Sequence, residues 1–364
     1  MSLIRIIESP AYRGLHRLAA AVQSPLLSGP LLAALLYGPD CVLQPLLQHL
    51  PGLHARLDTA QRVLQVLLGI GLLRTLNRGV SAMAANAWRA SAAPGWDWPA
   101  EIAVVTGGCS GIGLCIVRRL VARRVRVVIL DVQDLPVEFE SKRSEDQNPN
   151  LISFYRCDIT SPAAVADAAA AIRRDVGPPT ILVNNAGITR PMPILDMPPD
   201  LLRKVFAVNT LCHWLLVQQF LPHMIAINKG HIMTVASIAS FVALPKGADY
   251  SASKAAALSF HESLAVELKH LYKADRVLTS VAHPNFVRTP LVKDFGHQLE
   301  QGGVRMMTPD SVASAITDQI FSRRGGQLII PEQQAAVTGI RGWPTWLQVI
   351  LRDQMGANAI NVCV

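Results

Sequence analysis

Tyr250 and Lys254, within GADYSASKAAALSF (residues 247–260), stand four positions apart. On a helix that spacing puts both side chains on one face. A phenol beside an ammonium group has its charged form favoured, which lowers its pKa towards that of a usable base. The chain holds only five tyrosines and eight lysines, yet the pair alone also fits two surface residues. A second feature lies upstream in VVTGGCSGIGLCIVRRL, where Thr106, Gly107, Gly111 and Gly113 follow an apolar run and open a helical one. Glycines there let the backbone turn tightly and approach a pyrophosphate, whose charge rests on the helix N-terminus. Eighteen residues after Gly113, Asp131 closes the run VVIL. A carboxylate in that place accepts hydrogen bonds from an adenosine ribose and repels a 2′-phosphate.

The elements that must position these residues follow from periodicity. IAVVTGG, RVRVVILDV, LISFYRCDI, TILVNNAG, GHIMTVAS, RVLTSVAH and GQLIIP are Val/Ile-rich runs, apolar on both faces. That suits buried strands of a parallel sheet. Amphipathic stretches such as SPAAVADAAAAIRRDVG and DSVASAITDQIFSRRG lie between them, each opened by Ser or Asp. The alternation predicts an α/β fold: a doubly wound parallel sheet of about seven strands with helices on both faces.

Half of the 364 residues are apolar, 16% are charged and the net charge is +8. The basic residues are dispersed, with no Lys/Arg run interleaved with aromatics, so nucleic acid is not an expected partner. The six cysteines show no framework spacing and read as reduced thiols facing the cytosol, with no metal implied. Residues 1–99 contain eight Arg, no Lys and four acidic residues. Leu18 to Pro39 is free of charge and long enough to span a bilayer, although Pro25, Gly29 and Pro30 interrupt it. The apolar segments Cys41–Leu53 and Val63–Leu73 are too short to span. No cleaved signal peptide is expected. A single span, a re-entrant hairpin and interfacial helices all remain open. The expected organisation is an apolar helical membrane-associating segment over 1–99, a dinucleotide-binding catalytic domain over 100–331, and an amphipathic tail over 332–364. That tail, IRGWPTWLQVILRDQ, packs on the catalytic domain, contacts a membrane or covers the substrate mouth.

TGGCSGIG, Asp131, CDIT, NNAG, VNT, SIAS, YSASK and HPNFVRTP stand in the order and spacing of the short-chain dehydrogenase/reductase family, which the chain resembles over residues 100–331. The apolar leader and Trp-Pro tail are similar to its membrane- and lipid-droplet-associated retinol and 17β-hydroxysteroid dehydrogenases. The resemblance implies a Rossmann fold in which Tyr250 is the acid/base and Lys254 its pKa-lowering partner and ribose ligand. Ser237, thirteen residues before Tyr250, would bind the substrate oxygen, with Ser240 as second choice. Asn209 would anchor a water linking Lys254 to solvent. Thr106, Gly107, Ser110, Gly111, Ile112 and Gly113 would cradle the cofactor phosphates, and Asp131 would hold the ribose. Asp158 and Ile159 would meet the adenine, Asn185, Ala186 and Gly187 would run beneath the cofactor, and Pro284, Val287 and Thr289 would face the nicotinamide. One departure stands out, Pro284-Asn285 where the family has Pro-Gly; Asn tolerates unusual backbone angles better than most residues.

The expected function is hydride transfer between a nicotinamide cofactor and the hydroxyl or carbonyl carbon of an apolar substrate, retinoid, steroid, long-chain or polyketide-like. NAD is expected first because of Asp131, and NADP second, since Arg123 and Arg124 precede the strand and could swing towards a phosphate. A membrane or lipid-droplet surface facing the cytosol and a second copy of the chain are expected partners. An NADPH-dependent ketoreductase of a more polar intermediate and a non-catalytic lipid-surface scaffold are the competing readings.

Overall fold

The computed structural model describes residues 14, 21, 23–37, 53–139, 151–301 and 303–362. The chain divides into two compact units, with the boundary between Ala84 and Ala85.

In the first unit, α1 (Pro25–Tyr37) is 13 residues long and α2 (Leu53–Ala85) is 33. At 1.5 Å per residue α1 extends roughly 20 Å, short of the roughly 30 Å of a bilayer core. The segment Leu57–Ala85 has 29 residues and a mean hydropathy of 1.2, and is long and apolar enough to cross a membrane. The expected spanning run was Leu18–Pro39, so the candidate moves to a different segment. Arg74 and Arg78 end the apolar run in sequence, but they do not end the helix. Val66, Leu72, Leu73 and Leu76 are exposed along it. Residues 18–20, 22, 38 and 39 of the first run and residues 41–52 of the second lie outside the described residues.

The second unit is built on seven parallel strands: β1 (Ile102–Thr106), β2 (Arg126–Asp131), β3 (Ile152–Arg156), β4 (Ile181–Asn184), β5 (Gly230–Val235), β6 (Val277–Pro284) and β7 (Gly326–Ile330). Their order is β3-β2-β1-β4-β5-β6-β7. Each predicted apolar run holds one strand. Alternate residues face opposite ways, and both faces are covered. Ala103, Val105, Ile129 and Met233 pack under α3 (Gly111–Ala122) and α9 (Pro309–Phe321). Val104, Val128, Leu182 and Ile232 pack under α4 (Pro162–Asp175), α6 (Cys212–Ala226) and α7 (Ala248–His270). Shorter α5 (Pro199–Phe206) and α8 (Gly296–Gln301) lie in the loops after β4 and β6.

Helix starts follow side-chain chemistry. The Ser161 hydroxyl accepts the Ala164 N–H at the start of α4, as the sequence suggests. For α9 the cap is Thr308, accepting from Ser311, and Asp310 lies within the first turn instead. The tail forms a 3₁₀ run (Glu332–Gly342) and then α10 (Thr345–Val362), entered through Trp343-Pro344.

Asn86 anchors the chain leading into the sheet. It is buried, its amide donates to the carbonyls of Arg89 and Ser91, and its oxygen accepts the Gly325 N–H before β7. Asn86→Ala would strand those backbone groups, at roughly 1–3 kcal/mol. A lower urea midpoint at unchanged slope is expected; an unchanged midpoint would show the anchor to be dispensable.

Candidate active site

The crevice opens where the sheet changes direction, between β1 and β4, at the carboxyl ends of the strands. Thr106, the last residue of β1, is buried. Its hydroxyl accepts the N–H groups of Asn185 (3.0 Å) and Ala186 (3.1 Å) and donates to the Val183 carbonyl. The Asn185 amide answers by donating to the carbonyls of Thr106 and Gly107. The glycine turn and the NNAG loop are thereby held as one surface. Gly107 (φ +66°) and Gly111 (φ +55°) adopt left-handed backbone that disfavours side chains. A Cβ on Gly113 would lie 2.0 Å from the Gly107 carbonyl oxygen. Ser110 precedes α3 in extended backbone without a side-chain cap, so the first N–H groups of the helix face the crevice mouth. Ile112 packs its side chain into the core, and Thr289 stands opposite Gly111. A turn closed to Cβ atoms at a helix N-terminus is the shape and charge a cofactor pyrophosphate fits.

Asp131 ends β2 almost fully buried. One carboxylate oxygen accepts the Cys109 N–H at 2.9 Å and the other accepts the Gln133 N–H at 3.0 Å. Each oxygen keeps a lone pair for a ribose hydroxyl. Burial and the neighbouring Asp131 push the Cys109 thiol up to about 12, so it is an inert thiol within the turn. The structure adds Arg156, in register with Asp131 on β3. Its guanidinium donates to the Val132 carbonyl and pairs with Asp134. Of the two arginines expected to be near a phosphate, Arg123 lies 5.0 Å over the Phe321 ring. Asp158 turns its carboxylate onto the N–H and hydroxyl of Thr160, which hold its pKa below the usual carboxylate value, and Ile159 is buried in the core.

Ser237 follows β5 and caps a 3₁₀ turn (Ile238–Ser240) by accepting the Ala239 N–H at 3.2 Å. Its hydroxyl reaches the Pro284 carbonyl at 3.4 Å and stands beside the Tyr250 phenol, whose pKa it acts to lower. Ser240 turns away, donating to the Lys254 carbonyl at 2.9 Å. Tyr250 sits in the first turn of α7, and Lys254 one turn on is buried with its Nζ donating to the Val235 carbonyl at 2.9 Å. Asn209 lies in a π-helical turn (Ala207–Leu211), an irregularity common at functional sites. Its oxygen accepts the Ile188 N–H, and its amide donates to the Ile188 carbonyl and the Ser253 hydroxyl. A Cβ on Gly187 would lie 3.5 Å from both the Asn209 oxygen and Lys254 Nζ, so the three meet at one point.

One electrostatic expectation is corrected. The phenol of Tyr250 is raised, chiefly by burial, with the Ser237 hydrogen bond as the lowering influence. Lys254 is itself pulled down to about 8 by burial, and its Nζ lies 5.8 Å from the Tyr250 ring centroid. The protein alone therefore does not lower the phenol through the lysine. The Pro-Asn departure proves benign, because Asn285 has no positive φ. Its N–H donates to the Ile330 carbonyl and its amide to Gln334. Val287 is buried and bridges to Met307. Among the described residues no cluster of three His, Cys, Asp or Glu side chains is arranged to hold a metal. Cys109, Cys115, Cys157 and Cys212 are free thiols; Cys41 and Cys363 lie outside the described residues.

The short chain dehydrogenase family model matches residues 101–300. Dehydrogenase RED2 of Cochliobolus heterostrophus is 41% identical over 186 residues, covering 51% of this chain and 68% of its own. Epidermal retinol dehydrogenase 2 of Homo sapiens is 33% identical over 52% of this chain and 61% of its own. 17-beta-hydroxysteroid dehydrogenase 13 of Rattus norvegicus is 30% identical over 62% of this chain and 73% of its own. Among solved structures, ligand-free aldohexose dehydrogenase of Thermoplasma acidophilum shares the fold. Its TM-score is 0.53 at 24% identity, over 63% of this chain and 92% of its own. With the sheet order, the glycine turn and the matched residues together, the chain belongs to the short-chain dehydrogenase family and is a nicotinamide-dependent oxidoreductase.

Proposed function

We propose that Tyr250 is the general acid/base of the hydride-transfer site, with Ser237 holding the substrate oxygen and Lys254 and Asn209 in support. The adjoining hydroxyls of Ser237 and Tyr250, with a buried lysine one helical turn on, carry this reading. A nicotinamide bound in the crevice supplies the hydride acceptor for an alcohol, or the donor for a carbonyl. The alcohol proton must leave with the hydride, so a base is needed within hydrogen-bond reach. Tyr250 takes that proton in oxidation and returns it in reduction. The Ser237 hydroxyl turns from its long bond to the Pro284 carbonyl towards the developing oxyanion. Lys254, held at about 8, is still mostly an ammonium at neutral pH and stabilises the phenolate as it forms. Thr106, Gly107, Ser110, Gly111, Ile112 and Gly113 hold the pyrophosphate. Asp158 and Ile159 border the adenine, and Asn185, Ala186 and Gly187 floor the crevice. Pro284, Val287 and Thr289 face the nicotinamide.

Asp131 supports NAD(H), since both oxygens can still accept from ribose hydroxyls. Arg156 supports the second reading, NADP(H), because a guanidinium beside Asp131 could serve a 2′-phosphate if it left Asp134. The substrate is an apolar alcohol or carbonyl compound of the retinoid or steroid class. The names of the relatives support this. So do the apolar Ile194 and Leu195, exposed on the loop whose Met192 N–H donates to the Lys246 carbonyl just before α7. Residues 1–99 attach the enzyme to the cytosolic face of a membrane or lipid droplet, 100–331 catalyse, and 332–364 form the tail.

Incubating purified protein with NAD⁺ or NADP⁺ and a panel of retinols, hydroxysteroids and long-chain alcohols, and following reduced-cofactor absorbance, tests the whole reading. No turnover with any apolar alcohol or its carbonyl form would overturn the substrate class. Tyr250→Phe is expected to cost roughly 10²–10⁴-fold in kcat with cofactor binding nearly intact; more than a tenth of wild-type kcat would remove Tyr250 from its role. Lys254→Met should damage both cofactor binding and rate.

With one substrate, KM should be about tenfold lower for NAD(H), equivalent to about 1.4 kcal/mol. Asp131→Ala should shrink that preference and Val132→Arg reverse it. Equal or better efficiency with NADP(H), lost in Arg156→Ala, would establish the second reading. Full-length protein should remain with membranes after alkaline carbonate, given the apolar Leu57–Ala85 helix. Complete release would leave at most peripheral attachment.

A further inference from the structure

His283, the residue before Pro284 at the end of β6, is fully buried, and no step above uses it. Its Nδ1 lies 3.0 Å from the Ser237 carbonyl oxygen. A carbonyl can only accept, so Nδ1 carries the proton. Nε2 then presents a lone pair, and the Gln327 amide nitrogen, 3.2 Å away on β7, donates to it. The two contacts select one tautomer of a neutral ring. Burial acts in the same direction, holding His283 down at about 4, and Lys254 nearby opposes a second positive charge. His261 also lies close and is held down by burial and by His283. Phe241 closes one side of the ring, its centroid 4.7 Å from the imidazole.

The neighbouring residue completes the grip. Pro284 offers its carbonyl to the Ser237 hydroxyl while His283 holds the Ser237 carbonyl. With its backbone fixed at that end, Ser237 can redirect its hydroxyl towards a substrate oxygen by rotation of the side chain alone. A loosened carbonyl would let the 3₁₀ turn drift, and a misplacement of about 1 Å can cost on the order of 10²-fold in rate.

We propose that His283, oriented by Gln327, is a positioning residue that fixes Ser237, and through Ser237 the substrate oxygen in front of Tyr250. This rests on the reading of Ser237 and Tyr250 as the reacting pair.

The test is a double-mutant cycle on the full-length enzyme, with cofactor Kd and thermal midpoint measured in each variant. His283→Leu should lower kcat tenfold or more while cofactor Kd stays within about twofold. His283→Asn, whose amide nitrogen can stand near Nδ1 and donate to the same carbonyl, should recover most of that loss. Gln327→Leu should fall in between. In a Ser237→Ala background, His283→Leu should have no further effect on kcat, because the residue acts only through Ser237. If His283→Leu does not fold, the comparison of His283→Asn with Gln327→Leu, each alone and with Ser237→Ala, decides the matter. Additive losses, wild-type kcat in both His283→Leu and Gln327→Leu, or failure of a folded His283→Asn to restore activity would each overturn the proposal. Wild-type activity in Ser237→Ala would instead overturn the underlying reading of the site. A collapse in Ser237→Ala beside an unaffected His283→Leu would leave that reading intact and sink only the role of His283.

Discussion

One hydroxyl holds the crevice together. Thr106 ends β1 at the point where the sheet winds off in its second direction, and its Oγ takes two backbone N–H groups from the loop after β4. Without that link the glycine turn and the NNAG loop would diverge, since the two strand ends lead to helices on opposite faces. Asn185 reinforces it through the carbonyls of Thr106 and Gly107, and Asp131 secures the far side of the turn through the Cys109 N–H. The cradle is thus gripped from β4 on one flank and β2 on the other, while its own glycines leave no room for a side chain. Such a surface needs little reorganisation when an anion arrives, which is the condition for binding it without loss.

The reacting side of the crevice depends on burial. Desolvation raises the Tyr250 phenol and lowers the Lys254 ammonium to about 8, so the two pKa values move apart and each group is pushed towards its neutral form. Neither is activated by the protein alone. A positive charge brought into the same dry volume favours the phenolate strongly, because field effects grow as water is excluded. Asn209 is fully bonded within the π turn and fixes the wall of this volume.

Much of this is legible in the residues because the constraints are local or periodic. The seven strands are Val/Ile-rich on both faces, and only a covered parallel sheet can bury such runs. The glycine turn, Asp131 and the Tyr250–Lys254 spacing are chain-local patterns. What escapes the sequence is long-range. The reach of α2 past Arg74 and Arg78 depends on helix continuity, which an apolar count does not see. Arg156 comes beside Asp131 only through strand register, and His283 meets Gln327 and Ser237 across three strands. The preference for Ser237 over Ser240 is legible in the spacing to Tyr250, but its physical reason needs coordinates: the Ser240 hydroxyl is already committed to the α7 backbone.

The tail shows how remote chain becomes part of a site. Arg341 donates to the carbonyls of Phe241 and Ser240, the residues that close the turn begun by Ser237. Asn285, at the position where the family pattern implied by the resemblance has glycine, reaches Gln334 in the same tail. The substitution at the Pro-Gly position thus adds a contact, and it couples the loop after β6 to the segment that holds the serine turn. Phe241 then joins the two sides, since its carbonyl receives Arg341 and its ring lies against His283. The serine turn is restrained by β6 from within and by the tail from without. The loop before α5 stands apart from this restraint: Ile194 and Leu195 are exposed there, while the serine turn is held on both flanks.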